Sequence, residues 1–338
     1  MNRLRQAIEK NAGRPILGAA AYMYNPAFLE MAAFMGYTAA WIEMEHTMLT
    51  FPQAIDLCRI ATGLGMLTMV RIPDVNRETV LKACECGPDI LDLPMANTPE
   101  MLRQFVSNAR FPPLGVRGFF GVSRAVKYGI PGPVATEQQK LNDELCLMIQ
   151  IETKEAVDRI EELCEVPGID AIFLGPADLS ASLGVPGQTG HDSVYAAAEK
   201  TIKVARAHGK QVAVGAAVQD FPFWVAQGVD VLYAVNDLGA MKQGAQHALD
   251  AAREAIACTA GRSRSFRRCW RRAGGSTSSS SAATRNIVRK NCCRNWPGFC
   301  AGTAFAARCF SPSTGKTAPS TRSRWTTSRA SKRFGQLT

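Results

Sequence analysis

The stretch LMIQIETKEAVDRIEELCEVPGIDAIFLG, residues 147–175, decides the fold. It begins and ends with short apolar runs, 147–151 and 170–175, and the segment between them is polar with a helical pattern. Strands of a parallel sheet are covered by helices on both faces, so they read as continuous apolar runs joined by crossover helices. The stretch therefore predicts one strand-helix-strand unit of a parallel sheet.

Similar apolar runs recur along the chain, with helical segments between them. About 257 residues holding eight such units match an α/β fold of the (β/α)8 type, a TIM barrel, in size. An open doubly wound sheet is the alternative, but no Gly-x-Gly-x-x-Gly turn follows the first strand. The segment 110–142 is rich in Gly and Pro, shows no clear element and is expected to be a functional loop. The eight predicted strands are residues 16–21, 38–43, 67–71, 89–94, 147–151, 170–175, 211–215 and 230–235.

Residues with helix-capping chemistry stand between the predicted strands. Thr50 and Gln53 match a capping box, in which two side chains satisfy free backbone N–H groups of the first helical turn. Thr98 followed by Pro99 matches an N-cap with proline at the first helical position. Further candidates to begin helices are Asn76, Asp192 and Asp237, and candidates to end them are Gly36, Gly63, Gly87 and Gly209.

The net charge of +10 is unevenly distributed along the 338 residues. Residues 258–338 contain 17 Lys and Arg and no Asp or Glu, so residues 1–257 carry a net charge of −7. The tail is also rich in Ser and Thr and poor in Leu, Ile and Val. Such a segment buries too little apolar surface to offset its chain entropy. We therefore expect a barrel domain over 1–257 and a basic, disordered tail over 258–338.

Two explanations of this basic tail stay open. Its arginines would attract nucleic acid with strong salt dependence, which would make the protein a barrel with an RNA- or DNA-binding arm. Alternatively, the tail derives from a GC-rich gene read out of frame, which explains the abrupt switch to Arg, Ser, Cys and Trp after the last predicted helix. A nucleic-acid partner is expected only if the tail is a natural sequence.

Composition and cysteine spacing argue against several other classes. The apolar runs are far shorter than a membrane span, and the charged start Met1–Lys10 lacks the features of a secretory signal. We therefore expect a cytoplasmic protein with no membrane partner and with reduced cysteines. The tail cysteines form no Cys-x-x-Cys pair, which argues against a structural zinc site. The five cysteines of the barrel are expected to be small apolar fillers.

Polar side chains stand at the ends of several predicted strands, where a barrel places its active site. Gln150 and Glu152 end the fifth strand, and Asp178 follows the sixth. The two acids would project from neighbouring strands onto one face and repel each other unless a cation lies between them. Oxygen ligands with open positions suit Mg²⁺ or Mn²⁺. A salt-bridge or capping role for both acids is the structural alternative.

Arg71 and His46 are the two further candidates at strand ends. Arg71 lies in the apolar segment MVRIP, where an unpaired guanidinium would be very costly. It must meet an anion, either a carboxylate of the protein or a substrate carboxylate or enolate oxygen. A histidine such as His46 is often structural. The nearby Glu43 and Glu45 can, however, fix the imidazole tautomer and raise its basicity, as a catalytic base requires.

An ordered set of motifs resembles the HpcH/HpaI aldolase family, the metal-dependent class II pyruvate aldolases of the phosphoenolpyruvate/pyruvate barrel superfamily. The resemblance covers roughly residues 5–257, with the motifs in order and at matching spacing. The motifs are Glu45-His46, VRIP (70–73), LPMANT (93–98), RFPPLGVRG (110–118), QIE (150–152) and GPADLS (175–180).

The resemblance implies a role for each site residue. Glu152 and Asp178 match the metal ligands, Arg71 matches the pyruvate-binding arginine, and His46 matches the catalytic histidine. The implied cofactor is a divalent cation, Mg²⁺, Mn²⁺ or Co²⁺, and the implied assembly is a hexamer built as a trimer of dimers. Gln150 matches a glutamine near the bound keto acid, and the amides around Gly175, Pro176, Ala177 and Asp178 match a cradle for the pyruvate carboxylate.

Two positions depart from the family pattern. The family usually pairs an aspartate with the histidine three positions later, and this chain has Glu43 there. The family also commonly presents an acid across a subunit interface, just before the glycine that ends the third helix, and the matching residue is Glu85. Each substitution adds a methylene, which moves the carboxylate by roughly 1 Å or more and affects a preorganised site.

The implied reaction is cleavage, or formation, of a 4-hydroxy-2-oxo acid, with pyruvate and an aldehyde as the other partners. His46, oriented by Glu43, would remove the 4-hydroxyl proton, and the metal ion and Arg71 would stabilise the pyruvate enolate. A related enzyme that directs an enolate to another fate, such as a citrate-forming synthase or an oxaloacetate decarboxylase, is the alternative.

Overall fold

The computed structural model describes residues 1–272, with side chains described up to residue 257. Eight parallel strands pair in sequence order, and β8 closes on β1 to form a barrel. The predicted TIM barrel is therefore confirmed, and each observed strand begins and ends within one residue of its predicted bounds. The strands are β1 (Ile16–Ala21), β2 (Ala39–Glu43), β3 (Leu67–Arg71), β4 (Ile90–Leu93), β5 (Cys146–Ile151), β6 (Ala171–Leu174), β7 (Gln211–Gly215) and β8 (Val231–Asn236).

Helices lie between the strands, and two short 3-10 turns, Lys127–Gly129 and Val218–Asp220, lie in the connections. Residues Met1–Asp250 form one compact unit. The helices are α1 (Arg3–Lys10), α2 (Pro26–Met35), α3 (Phe51–Gly63), α4 (Arg77–Glu85), α5 (Pro99–Ala109), α6 (Val134–Glu144), α7 (Lys154–Asp158), α8 (Ile160–Cys164), α9 (Pro176–Ser182), α10 (Asp192–Ala207), α11 (Phe221–Ala226) and α12 (Asp237–Arg272).

The apolar core forms two layers, as the alternation of side chains along each strand requires. One layer fills the barrel interior with residues such as Met69, Met148 and Phe173, and the other lies between the strands and the surrounding helices. The barrel interior is thus packed mainly with apolar side chains. The five predicted filler cysteines are all buried: Cys58, Cys84, Cys86, Cys146 and Cys164.

The capping predictions hold for most helices. Gln53 accepts a hydrogen bond from the Thr50 N–H at 2.9 Å, and the Thr98 hydroxyl accepts one from the Met101 N–H at 3.3 Å. The prediction for Asp237 is wrong, because Asp237 is the first residue of α12 and the Asn236 side chain accepts from the Gly239 N–H at 2.7 Å. The prediction for Asp192 is also wrong, because His191 is the N-cap of α10 and its imidazole accepts from a backbone N–H. Asp192 is instead the first helical residue.

The segment 110–142 contains more structure than predicted. Helix α6 begins at Val134, directly after Pro133. Its sequence VATEQQKLNDE is polar, and Asn142 is its one buried residue, so the apolar periodicity that announces a helix is missing. The segment between α5 and α6 exposes several large apolar side chains, among them Phe119, Phe120 and Ile130.

Helix α12 continues from Asp237 to Arg272, so the first residues of the predicted tail extend a helix. The rest of that segment, to residue 338, lies outside the described residues, and the predictions of disorder and of nucleic-acid binding stay predictions. None of the helices in the described part of the chain combines the length and the apolar character that a membrane span requires.

Candidate active site

A cavity of about 490 Å³ opens at the carboxyl ends of the strands. Closure of the barrel brings residues of seven strands, or of the loops that follow them, to this cavity, although these segments are far apart in the chain. Buried Glu43 and Glu152 contact residues of its wall without lining it. Seven of the predicted site residues line the cavity: His46, Arg71, Gln150, Gly175, Pro176, Ala177 and Asp178.

Arg71 is the buried centre of charge in the site. Its Nε atom donates to Glu43 at 2.5 Å, and its Nη1 atom lies 3.0 Å from the Glu45 carboxylate. The guanidinium also lies over the ring of Trp41, 5.0 Å from its centroid. The ion pairs with protein carboxylates predicted as one alternative are therefore present. Arg71 nevertheless lines the cavity, so its remaining N–H groups are available to a ligand.

Glu43 organises the loop after β2 through the backbone. One carboxylate oxygen binds Arg71, and the other accepts hydrogen bonds from the N–H groups of Glu45 and His46 at 2.7 and 3.0 Å. Glu43 therefore orients His46 through the main chain, and not by the side-chain pair expected from the family pattern. The longer side chain of glutamate allows the carboxylate to reach Arg71 and the loop amides together.

The carboxylate near the imidazole belongs to Glu45, whose oxygen lies 3.4 Å from Nε2 of His46. The imidazole is 63% exposed at the cavity mouth, whereas the Glu45 side chain is 16% exposed. Burial raises the pKa of Glu45, Arg71 and His46 oppose this shift, and the charges of Glu43 and Asp178 add to it. Glu45 thus lies between the guanidinium of Arg71 and the imidazole of His46, where it can orient the imidazole for proton transfer.

Gln150 links the guanidinium to the acid of β5. Its amide oxygen accepts from Arg71 at 3.3 Å, and its amide nitrogen donates to Glu152 at 2.6 Å. The other oxygen of Glu152 accepts from the Met95 N–H at 2.7 Å. Burial raises the pKa of Glu152 to about 7, against the effect of the Met95 hydrogen bond. Charge on Glu152 is therefore costly unless a cation compensates it.

Gly175 allows this carboxylate and the Gln150 amide to approach the backbone after β6 closely. A Cβ atom at position 175 would lie 2.7 Å from Glu152 Oε2 and 2.8 Å from Gln150 Nε2. Any larger residue would displace both groups, because contacts of that length are repulsive. The glycine between β6 and α9 is therefore a steric requirement of the site, in addition to being a turn residue.

The donor set fits a divalent cation of the oxygen-binding type. Glu152 and Asp178 are both carboxylates, and Asp178 is close enough for its charge to raise the pKa of Glu152. The absence of a side chain at Gly175 lets the Glu152 carboxylate lie close to the loop that carries Asp178. Among the residues with described side chains, no three or more His, Cys, Asp or Glu residues form a closed metal cluster. Two carboxylates with open positions suit Mg²⁺ or Mn²⁺ completed by water and substrate.

Glu85 lies away from this cavity. It ends α4, and one carboxylate oxygen accepts from Arg117 at 2.8 Å, while the other is buried and unpartnered among the described residues. Arg117 in turn stacks on Phe111, 4.3 Å from the ring centroid. Within one chain Glu85 therefore belongs to the structure of the long connection, and its predicted role across a subunit interface stays a prediction.

The sequence analysis missed Asp92, a fully buried acid on β4. It is 0% exposed, and neither carboxylate oxygen has a hydrogen-bond partner among the described residues. Burial raises its pKa well above the ordinary value, which Arg71 only partly opposes. Burial of Asp92 therefore favours the neutral, protonated form of its carboxyl group. Its signal was a lone charged residue in the apolar run Ile90–Leu93.

Four aromatic residues form the floor of the cavity. Trp41 contacts Tyr22, Phe173 and Tyr233 in edge-to-face geometry, with ring centroids 5.1 to 5.9 Å apart. The floor excludes water from below Arg71 and thereby strengthens the charge interactions above it. Sequence analysis did not single out these rings, because aromatic residues on strands are usually core residues.

Comparison with known proteins shows the family to which the chain belongs. The family model of HpcH/HpaI aldolase/citrate lyase matches residues 21–231. A 2-keto-3-deoxy-L-rhamnonate aldolase of Escherichia coli is 34% identical over 239 residues, which cover 68% of this chain and 86% of its own. A hydroxypyruvate/pyruvate aldolase of Sagittula stellata is 34% identical over 196 residues, 58% of this chain and 76% of its own.

Solved structures agree as well. An HpcH/HpaI aldolase from Desulfitobacterium hafniense superimposes with a TM-score of 0.69 at 30% identity, covering 75% of this chain and 97% of its own. The citrate synthase SbnG gives a TM-score of 0.66 at 25% identity, covering 75% and 98%. The resemblance seen in the motifs is therefore confirmed, and the chain is a lyase of the HpcH/HpaI aldolase/citrate lyase family.

Proposed function

We propose that this protein is a metal-dependent aldolase that cleaves or forms 4-hydroxy-2-oxo acids, with pyruvate and an aldehyde as the products of cleavage. The observation that carries the proposal is the chain of contacts from Arg71 through Gln150 to Glu152. It joins the guanidinium of Arg71, which lines the cavity, to the buried carboxylate of Glu152. A fixed positive charge and a bound metal ion each stabilise an enolate.

A divalent ion held by Glu152 and Asp178 would polarise the 2-oxo group as a Lewis acid. Aldolases of this family generally depend on a divalent metal ion, and Mg²⁺, Mn²⁺ and Co²⁺ are the candidates. The backbone N–H groups around Gly175 and Ala177 would donate hydrogen bonds to the carboxylate of the 2-oxo acid.

The chain's own residues account for the proton and the charge. In the cleavage direction His46, steadied by Glu45 and by the Glu43-bound loop, takes the 4-hydroxyl proton. The C3–C4 bond then breaks, the aldehyde leaves, and the electron pair passes to a pyruvate enolate. Arg71 stabilises the enolate oxygen with N–H groups that need not move, because Glu43 and Glu45 hold the guanidinium in place.

Removal of either proposed metal ligand tests the assignment. Glu152→Ala and Asp178→Ala are expected to abolish pyruvate release from 4-hydroxy-2-oxo acids and to weaken Mn²⁺ binding measured by calorimetry. Glu155→Ala is a matched control, because Glu155 lies on the neighbouring helix and its side chain is 58% exposed. Full activity of either ligand variant in the presence of chelator would reject the metal assignment.

A second reading, a citrate-forming synthase, is favoured by the similarity to the citrate synthase SbnG. It differs in the acceptor of the enolate. Pyruvate release from a panel of 4-hydroxy-2-oxo acids with Mg²⁺, Mn²⁺ or Co²⁺, compared with condensation of oxaloacetate with an acyl thioester, separates the two. If the protein is an aldolase, pyruvate release must be faster than condensation of oxaloacetate with the acyl thioester.

Oxaloacetate decarboxylation isolates the enolate step, because it needs no aldehyde. Arg71→Ala is expected to lose this activity together with aldol cleavage. If decarboxylation survives intact, Arg71 has a structural role.

Family members are oligomeric, and we infer a homo-oligomer here, a hexamer built as a trimer of dimers. In that assembly Glu85 would be contributed to a neighbouring site. Light scattering of the purified chain tests the inference, and a monomer that is fully active would overturn it.

A further inference from the structure

Tyr22 is a cavity residue that the proposed mechanism does not use. It directly follows β1 and lines the cavity. The backbone N–H groups of Tyr22 and Met23 donate to the carboxylate of Asp237, at 3.1 and 3.0 Å, and Asp237 is fully buried at the start of α12. The backbone at Tyr22 is therefore fixed between the first and the last strand of the barrel.

The ring of Tyr22 is also fixed. It meets Trp41 edge to face, with centroids 5.9 Å apart and an interplanar angle of 79°. Trp41 is in turn held between Arg71 above it and Phe173 beside it. The phenol is thus presented by a packed support, and its hydroxyl position is determined by the fold.

The hydroxyl of Tyr22 makes no hydrogen bond to any residue with a described side chain, and it is not sealed from the cavity. The other tyrosines nearby are engaged: Tyr233 contacts Met69 Sδ at 3.7 Å, and Tyr24 donates to Asp56 at 2.6 Å. Burial, followed by the charge of Glu43, raises the pKa of Tyr22. The phenol is therefore a neutral donor at physiological pH, and a ligand is left to accept from it.

The position of Tyr22 around the barrel identifies the part of the substrate it meets. In a closed barrel of eight strands in sequence order, β1 stands opposite β5. Glu152 ends β5, and Asp178 follows β6. A 2-oxo acid held at these carboxylates, with its 4-hydroxyl group at His46 after β2, would extend its far end across the cavity toward β2 and the adjacent β1. Tyr22 therefore faces the aldehyde half of the substrate.

We propose that the Tyr22 hydroxyl donates a hydrogen bond to a hydroxyl group on the aldehyde half of the substrate, and that Tyr22 selects hydroxyaldehydes over alkyl aldehydes. The inference rests on the proposed aldolase function. Ala20 and Val235 line the cavity beside Tyr22, so an alkyl group there would leave the phenol unpaired. A site that leaves a buried donor unpaired discriminates strongly against the analogue that lacks the oxygen.

Condensation of pyruvate with glycolaldehyde and with propanal tests the proposal. These aldehydes have the same number of heavy atoms and differ by a hydroxyl in place of a methyl group. In the Mn²⁺-supplemented enzyme, Tyr22→Phe is expected to lower the ratio of kcat/KM for glycolaldehyde to kcat/KM for propanal by about tenfold, the effect of one hydrogen bond. The substitution keeps the ring that packs on Trp41.

Tyr24→Phe is the matched control. Its hydroxyl bonds to Asp56 outside the cavity, and the variant is expected to keep the wild-type ratio. If Tyr22→Phe is active with an unchanged ratio, Tyr22 does not select the hydroxyl, while the aldolase function stands. If the wild-type enzyme condenses pyruvate with neither aldehyde, the aldolase function fails and the role of Tyr22 fails with it.

Discussion

Gly175→Ala tests the geometry of the site with a single methyl group. The added Cβ would lie 2.7 Å from Glu152 Oε2 and 2.8 Å from Gln150 Nε2. Ordinary contact is about 3.5 Å, so the carboxylate must retreat by roughly 0.8 Å. A misplacement of about 1 Å in a preorganised site costs on the order of 100-fold in rate. We expect kcat/KM for pyruvate release to fall 10- to 100-fold.

Unfolding in urea gives a second measurement on the same variant. Overpacking a buried site costs about 1–3 kcal/mol, so the free energy of unfolding of Gly175→Ala should fall by that amount. Gly63→Ala is the control, because a Cβ there meets no atom within 4 Å and the residue ends helix α3. It should keep wild-type activity.

The steric argument has a clear refutation. If Gly175→Ala retains kcat/KM within threefold of wild type and unfolds with unchanged free energy, the carboxylate of Glu152 does not lie where the structure places it. A loss of stability with full activity would show that Glu152 is crowded by the methyl group without serving the reaction.

The remaining predictions concern charge. Burial raises the pKa of Glu152 from 4.5 to about 7, so between these pH values the folded protein binds a proton that the unfolded chain releases. In the metal-free protein the free energy of unfolding is therefore expected to fall as the pH rises from 4.5 to 7. Urea unfolding should show this loss, about 3 kcal/mol, in wild type and not in Glu152→Gln; equal pH dependence in both would contradict it. Asp92→Asn should stabilise the protein more at pH 8 than at pH 5, because burial also raises the pKa of Asp92. Urea unfolding at the two pH values measures this difference, and a stabilisation found only at pH 5 would contradict the prediction. Arg71→Lys keeps the charge but cannot contact Glu43, Glu45 and Gln150 together, so steady-state kinetics should show at least about a 100-fold loss in kcat/KM, and wild-type kinetics would show that a point charge suffices.

Local sequence patterns predicted the frame of the protein to within a residue at each strand end. Apolar runs and capping residues carry that information because strand and helix periodicity depend on near neighbours. The prediction failed for α6, whose polar sequence has no apolar face. It also failed at Asp192, because an imidazole served as the cap in place of the expected carboxylate.

The candidate site was predicted as a set of residues, but their partners were not. Sequence placed Glu43, His46 and Arg71 at strand ends, and it paired Glu43 with His46. In the structure, Glu43 instead accepts a hydrogen bond from Arg71, and Glu45 lies beside the imidazole of His46. The choice between two acids two positions apart depends on side-chain direction and on the register of β2 with β3, neither of which a one-dimensional pattern contains.

The sequence by itself determined that the chain forms a barrel of eight strand-helix units with acids, an arginine and a histidine at one end, because periodicity and capping are local properties. Only the tertiary structure decided that Gln150 joins Arg71 to Glu152, that Gly175 makes room for Glu152 and Gln150, and that Tyr22 and Arg71 both contact Trp41. The hydrogen bond between Arg71 and Gln150 joins residues 79 positions apart, so it forms only when the strands pair in the closed barrel.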